Sequence, residues 1–506
     1  MAEAVAAGRA TVPETPAGPA PGRPRHVPAL AALVTLSALL YAASSLLRMR
    51  AFQASTYDLV IFDQALRSYS RFGAPVAMVK GVHNGFGPDF SVLGDHFSPI
   101  LAVLAPLYWL HDGPETLLVA QAVLFALAAV PIWRYAARRF GPSSAHLVAG
   151  AYALSWPVAE ALAFDFHEAA FVPLLSALLV ERYDAGRRVQ AAAAALALLM
   201  VKEDMGLLLV GFGLVLLARR GERRAGAGYA AAGLVAAWAS SRVLISLFGG
   251  DNDYYWAYGS LGDDMAGAAV HVLTRPWILF GTLGSPPIKL LTMALLVLPL
   301  LLLPLRSPLV VAALPLLAER MLADRFANWW EPRYHYNAFI VAILVMAAVD
   351  GAYRLRGGRA SAVLRRARPG AVLRRLPRRL RPHLPAAALL AGAAVTVPFF
   401  ALGDLADPDL YRRDARDRAA AAAVAAVPDD ALVETANNLG PALSARTRVL
   451  LWDREPRRAP WVVADIGRHT FPFKSLDEQR RRVDALVAEG YRPVFRQGGY
   501  IVLTRR

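Results

Sequence analysis

Five short stretches of this 506-residue chain hold most of the side chains that could do chemistry. The first, Tyr57-Asp58-Leu59-Val60-Ile61-Phe62-Asp63-Gln64, offers two carboxylates five positions apart. The second, Gly94-Asp95-His96-Phe97-Ser98-Pro99, sets an aspartate beside a histidine. Such a pair could orient a nucleophile, hold a cation or act as an acid–base couple; its plainer role is a loop hydrogen bond. The third, Phe164-Asp165-Phe166-His167-Glu168, packs three ionisable groups into five residues. A charge at the centre of a membrane helix costs about 2.5–3.5 kcal/mol, less toward the interface, so three together point to a site. It is not a zinc-protease helix, because Phe171 occupies the position of the second histidine.

The fourth stretch is Lys202-Glu203-Asp204. The lysine suits a phosphate and the acids suit a cation or an acceptor hydroxyl; the structural alternative is an outer turn closed by a lysine–acid pair. The fifth begins at Glu319-Arg320, passes Arg325 and ends in Asn328-Trp329-Trp330-Glu331-Pro332-Arg333-Tyr334-His335-Tyr336. Tryptophan and tyrosine at a span boundary usually form an interfacial belt. Arg320, Arg325 and Arg333, with His335 beside them, add forked donors suited to bidentate phosphate recognition. Asp251-Asn252-Asp253-Tyr254-Tyr255-Trp256 is acidic and aromatic enough to touch sugar, or is a plain connecting loop. A divalent cation could sit among these carboxylates, but the spacing names neither a metal nor a cofactor.

These residues need elements to hold them. Leu59, Phe62, Leu66 and Tyr69 recur at helical spacing and leave Asp63, Gln64 and Arg67 off that stripe, which predicts an amphipathic helix along the membrane surface. Asp58 stands where a carboxylate would cap that helix. Ser98-Pro99 has the form of an N-cap followed by proline in the first turn.

The frame around them is a membrane protein. Hydrophobic residues make up 56% of the chain, charged ones only 19%, and mean hydropathy is +0.37. Apolar runs such as 30–47 and 288–305 reach the roughly 20 residues that cross a hydrocarbon core. The expected spans are 28–47, 115–133, 146–163, 169–184, 190–201, 205–218, 226–247, 286–305, 307–320, 336–353 and 384–403, with 190–201 and 205–218 short enough to be tilted or broken. This is an all-α polytopic architecture of about eleven transmembrane helices. Under that count Arg134/Arg138/Arg139, Arg187/Arg188, the arginines of 219–224 and eleven arginines over 354–381 share one side with Arg23/Arg25. The positive-inside rule makes that side cytoplasmic. The five stretches then all fall outside, at the outer leaflet of a bacterial plasma membrane.

Three regions follow. Residues 1–27 read as a disordered cytoplasmic tail, rich in Ala, Pro and Gly, and not as a cleavable signal peptide. Residues 28–403 form the helical domain, with a long first outer loop (48–114) and an Arg-rich cytoplasmic loop (354–383). Residues 404–506 read as a small extracytoplasmic α/β domain: a helix over 411–427, strands over 431–435, 449–452 and 461–466, a helix over 477–490, and a hairpin over 494–503 turning at Gly498-Gly499. The net charge of +16 is concentrated in the inner loops, so membrane lipids rather than nucleic acid are the expected partners. The chain has no cysteine, which excludes disulfides, thiol nucleophiles and cysteine-held metals. P-loop, dinucleotide, nucleophile-elbow and HExxH patterns are missing, which argues against an ATP-driven pump or a membrane metalloprotease.

Taken together, Tyr57-Asp58 with Ile61-Phe62-Asp63-Gln64, Gly94-Asp95-His96-Phe97-Ser98-Pro99, Phe166-His167-Glu168, Lys202-Glu203-Asp204 and Tyr334-His335-Tyr336 resemble the bacterial predicted-membrane-protein family DUF2079 over about residues 50–350. More distantly, the layout resembles GT-C glycosyltransferases of the cell envelope. That likeness implies transfer of a sugar from a polyprenyl-phosphate donor, with Asp58 as base or acceptor-orienting group. Asp95 and His96 would assist it. Arg320, Arg325, Arg333 or Lys202 would hold the lipid phosphate, and Asp63, Asp165, His167, Glu168, Glu203, Asp204 and His335 would contact substrate. The paired acidic motif common in the first loop of that superfamily is absent. Two other classes stay open: a transporter or flippase of a lipid or polar solute, for which no matched halves are visible, and a non-catalytic receptor or assembly protein.

Overall fold

In lipid, a backbone must satisfy its own hydrogen bonds, so the apolar runs are helical. The computed structural model describes residues 26–251, 256–357, 377 and 380–505. Helices long and apolar enough to cross a membrane run over His26–Arg50, Glu115–Phe140, Arg223–Leu247, His335–Arg356 and Arg381–Phe399. A sixth candidate is the pair Ile278–Gly284 and Ile288–Val297, bent by 81°. The remaining expected spans appear as shorter pieces. Residues 146–163 divide into Pro142–Ala153 and Trp156–Ala163 at Pro157, and 307–320 into a 3₁₀ turn, Pro308–Ala313, and the helix Leu314–Leu322. The others are Val172–Asp184, Arg188–Leu199 and Met205–Leu217. Prolines in the first turns account for several breaks, since they restrict the residue before them and donate no hydrogen bond. The tail 1–25, Asn252 to Tyr255 and most of the 354–381 arginine run lie outside the described residues.

His335–Arg356 runs through the centre, with 78% of its apolar window buried against 22% for His26–Arg50 at the rim. Ion pairs join the basic clusters at one end of the bundle: Arg139–Asp184 at 2.9 Å, Arg188–Glu222 at 2.6 Å and Arg354–Asp350 at 2.7 Å. The five chemistry-bearing stretches lie away from these pairs.

The chain after residue 404 folds around a five-stranded sheet: β1 Leu432–Thr435, β2 Arg448–Leu451, β3 Trp461–Asp465, β4 Arg492–Gln497 and β5 Tyr500–Thr504, in the order β2-β1-β3-β5-β4. The first three are parallel and β5 runs antiparallel to both its neighbours. The expected hairpin turns at Gly498 and Gly499, whose φ of 58° and 87° glycine tolerates best. The expected helix 411–427 shortens to Ala415–Ala425 because Asp414 and Asp417 form a reciprocal capping box.

The segment 48–114 departs from its expected form. A single π-helical turn, Thr56–Val60, leads into the helix Ile61–Ser70. Leu59 and Leu66 are buried as the stripe predicts, but Asp63 is equally buried. The helix does not lie free on a membrane surface: the sheet covers its polar face. Gln64 donates to Val449 O at 2.9 Å, and Arg67 donates to Ser444 O at 2.9 Å.

Glycines set a close crossing between Met205–Leu217 and Arg223–Ala239. A Cβ on Gly206 would fall 2.3 Å from Gly233 O, and one on Gly213 would fall 2.6 Å from Gly226 O. Small residues of this kind let membrane helices pack backbone to backbone. Gly213→Leu should therefore cost at least about 1–3 kcal/mol. Gly228→Leu, whose Cβ meets nothing within 4 Å, should leave the melting temperature of the detergent-purified protein unchanged. Equal melting temperatures for the two variants would refute the crossing.

Candidate functional site

Ser55, not Asp58, caps the turn that opens the first loop. Its Oγ accepts the Asp58 N–H at 3.4 Å, which corrects the capping role expected of Asp58. The Asp58 carboxylate is instead turned toward other side chains, 28% exposed. Its Oδ2 lies 2.9 Å from Ser55 Oγ and its Oδ1 3.5 Å from His167 Nε2. Ser55 also meets Asp165, whose Oδ2 accepts the Ser55 N–H at 2.7 Å and lies 2.8 Å from Ser55 Oγ. Asp165 is buried, with a φ of 59° that few non-glycine residues adopt. Gln121 holds that backbone by donating to Asp165 O at 2.7 Å and accepting the His167 N–H at 3.3 Å. Burial, reinforced by the Asp58 charge, pushes the Asp165 carboxyl up to about 7.

The sheet fixes the other side of the turn. Thr56 N–H and Thr56 Oγ1 donate to Asn437 O at 2.5 and 2.7 Å, and the Tyr57 N–H donates to Asn437 Oδ1 at 2.9 Å. Next to Asp58, the His167 ring stacks on His335 with centroids 3.8 Å apart, and Phe164 stacks on both. Tyr336 follows His335 and carries this cluster to a cavity.

That cavity has a volume near 400 Å³. Its polar lining includes Asp95, His96, Lys202, Glu203, Asp204 and Arg320, and Trp256, Tyr258, Trp329 and Tyr336 add aromatic faces. Lys80 pairs with Asp95 at 2.9 Å, and His96 Nδ1 lies 2.8 Å from Glu203 Oε1. Burial alone would raise the Glu203 carboxyl, but the His96 ring outweighs it and holds Glu203 below the usual range. Burial raises Asp204. Burial would lower Lys202, yet Asp204 and Glu168 more than offset this and hold its ammonium charged. The Lys202 Nζ stands 3.8 Å from Glu168 and 3.9 Å from Asp204, beyond hydrogen-bond range. Arg320 is buried and gives one N–H to Asn337 at 3.2 Å, while its Nη2 has no partner. Two buried cations thus present free N–H donors to a cavity with aromatic walls.

Not every expected residue gathers here. Asp63 is taken by Arg67 at 2.9 Å and Tyr108 at 2.9 Å inside the loop. Arg325 lies over the Phe326 ring. Arg333 lines a separate 250 Å³ cavity with Arg48, Glu160 and Phe164. Ser98 makes no capping bond and its Oγ is buried without a partner, although Pro99 does begin a 3₁₀ helix, Pro99–Trp109. Among the described residues no group of three or more His, Asp or Glu side chains is arranged to hold a metal. Ser55, Gln121 and Arg48 were missed by sequence reasoning. A lone serine, glutamine or terminal arginine carries no spacing signal, and their partners lie far along the chain.

The family model described as predicted membrane protein (DUF2079) matches residues 48–502. No curated protein sequence matches the chain. Among solved structures, ArnT from Cupriavidus metallidurans bound to undecaprenyl phosphate is similar, with TM-score 0.54 at 14% identity, covering 94% of this chain and 98% of that one. ArnT from the same organism in the apo state gives 0.51 at 11%, covering 95% and 98%. An Archaeoglobus fulgidus oligosaccharyltransferase tethered to an acceptor peptide gives 0.42 at 10%, covering 94% and 74%. The two ArnT structures share the fold of this chain.

The Asp165 carboxyl sets a sign for pH dependence. Its folded value, about 7, lies above the roughly 3.9 of an unfolded aspartate, so the native state binds the extra proton. Its contribution is full below about pH 4 and is lost as pH rises through 7, at up to about 1.4 kcal/mol per unit. Melting temperature should fall over this window more steeply in the native protein than in Asp165→Asn; parallel curves would rule the proton out.

Proposed function

The chain belongs to the predicted-membrane-protein family DUF2079, and on that premise we propose that it is a GT-C-type glycosyltransferase. It transfers a sugar from a polyprenyl-phosphate donor at the outer leaflet of a bacterial plasma membrane. In this reading all of the roughly eleven apolar segments cross or enter the bilayer. The basic end and the N-terminus face the cytoplasm, and the sheet region is an extracytoplasmic domain.

One observation carries the reading. Asp58, an accessible carboxylate held by Ser55 and His167, connects through the stacked His167 and His335 rings to Tyr336, which lines the cavity where buried Lys202 and Arg320 lie, the Arg320 Nη2 without a partner. The undecaprenyl phosphate bound to the similar ArnT supports a lipid-linked donor. Asp58 takes the proton from an acceptor hydroxyl, whose oxygen then forms a bond to the anomeric carbon of the sugar. The bond from that carbon to the phosphate oxygen breaks, and the electron pair leaves with the polyprenyl phosphate. Lys202 and Arg320 stabilise the charge that develops there. Asp95, His96, Glu203 and Asp204 orient the sugar hydroxyls, and the aromatic walls pack against its C–H faces.

The test offers the purified protein, in nanodiscs, a panel of polyprenyl-phosphate sugars and follows release of polyprenyl phosphate. Asp58→Asn should lower turnover by about 10²–10⁴-fold with donor binding retained. Lys202→Met should weaken donor binding at least tenfold. Full turnover in Asp58→Asn would remove its role as base. Absence of lipid-phosphate release with every donor, in protein that still binds them, would remove the transfer reading.

A further inference from the structure

A second cavity, near 780 Å³, lies where the sheet meets the end of the first long helix. Its walls come from residues 51–53, from the 404–417 connection and from the residues just after β1 and β3. Strands β1 and β3 are parallel neighbours, and open α/β sheets take ligands outside the carboxyl ends of such strands. The volume is within the range of small-molecule sites.

The charges of this cleft decide what it could hold. Most of its carboxylates are already engaged. Asp404 pairs with Arg48 at 3.0 Å, and Asp465 pairs with Arg416 and accepts the Gly467 and Arg468 N–H groups. Asp414 and Asp417 cap each other's backbone, and Asp407 accepts the Asp409 N–H at 3.0 Å. Arg412, Arg413 and Arg468 line the same cleft and, among the described residues, form no ion pair. Asn438 gives its amide N–H to the Tyr500 hydroxyl at 3.0 Å, and its Oδ1 is buried without a partner. The site therefore offers three forked cationic donors and one acceptor suited to a hydroxyl.

We propose that this cleft binds an anionic saccharide, one carrying a phosphate or carboxylate together with hydroxyl groups. The guanidinium groups match either anion in bidentate fashion, and a sugar hydroxyl satisfies Asn438 Oδ1. A neutral sugar forms no bidentate pair with the arginines, and a metal ion finds few carboxylates free. Asp404 also lines the 250 Å³ cavity, whose Phe164 ring stacks on His167 beside Asp58. The assignment does not depend on glycosyl transfer.

Full-length protein in neutral phosphatidylcholine nanodiscs is titrated calorimetrically with glucose 6-phosphate, glucuronate and glucose. The two anions should bind at least tenfold more tightly than glucose. The double variant Arg412→Gln/Arg468→Gln should weaken the anions tenfold or more, with melting temperature unchanged. Arg481→Gln, on the exposed face of the helix Leu476–Ala488, should bind as the native protein does. Equal affinity for glucose and glucose 6-phosphate, or undiminished binding by the double variant, overturns the proposal. Loss of the probe in nanodiscs containing phosphatidylglycerol would assign the cleft to a lipid phosphate and overturn the saccharide assignment. Polyprenyl-phosphate binding in the same samples tests the transfer reading separately; its failure alone leaves the cleft assignment intact.

Discussion

The Ser55 hydroxyl lies within hydrogen-bonding distance of two carboxylates, and one end of the molecule is arranged around that contact. A hydroxyl has one proton to give, so it cannot donate to both while both are ionised. Two features relieve the conflict. Burial favours a proton on Asp165, and Asp58 keeps partial contact with solvent and a histidine on its other side. The same contact joins the loop after the first long helix to the bundle, because Ser55 lies in that loop and Asp165 at the break between two apolar helices. An unpaired buried carboxylate would cost several kcal/mol, so the two segments are held where the pair is satisfied.

Much of this was legible in the residues themselves. Asp58, Asp165, His167, Lys202, Glu203 and Arg320 stand at the ends of apolar runs, where an ionisable group is costly without a purpose, and the structure gathers them at one end. The strands and helices after residue 404 follow from alternation and capping signals that act over a few residues. Asp63 was not legible in the same way. A helical stripe separates one apolar face from everything else, but it cannot say that a second layer will cover the polar face.

The apolar runs likewise speak to composition and not to continuity. Residues 146–163 read as one span, yet they form two helices meeting near Pro157. The central position of His335–Arg356 is equally invisible in its hydropathy of 1.8, which is close to the 2.0 of the peripheral His26–Arg50. What distinguishes them is contact with other helices, a property of the assembled bundle. Ser55 and Asn437 belong with this second kind of information, since each acts through a partner more than a hundred positions away.

The hydrogen bond from Thr56 to Asn437 spans 381 residues. During synthesis the turn bearing Asp58 emerges some 381 residues before the strand end that clasps it. Until Asn437 emerges, the nascent chain carries the Asp58 carboxylate on a turn that the sheet does not yet grip. A chain cut short before the sheet never acquires the clasp. Synthesis past Asn437 is thereby written into the geometry of the turn, which is gripped only when two distant segments of the chain meet.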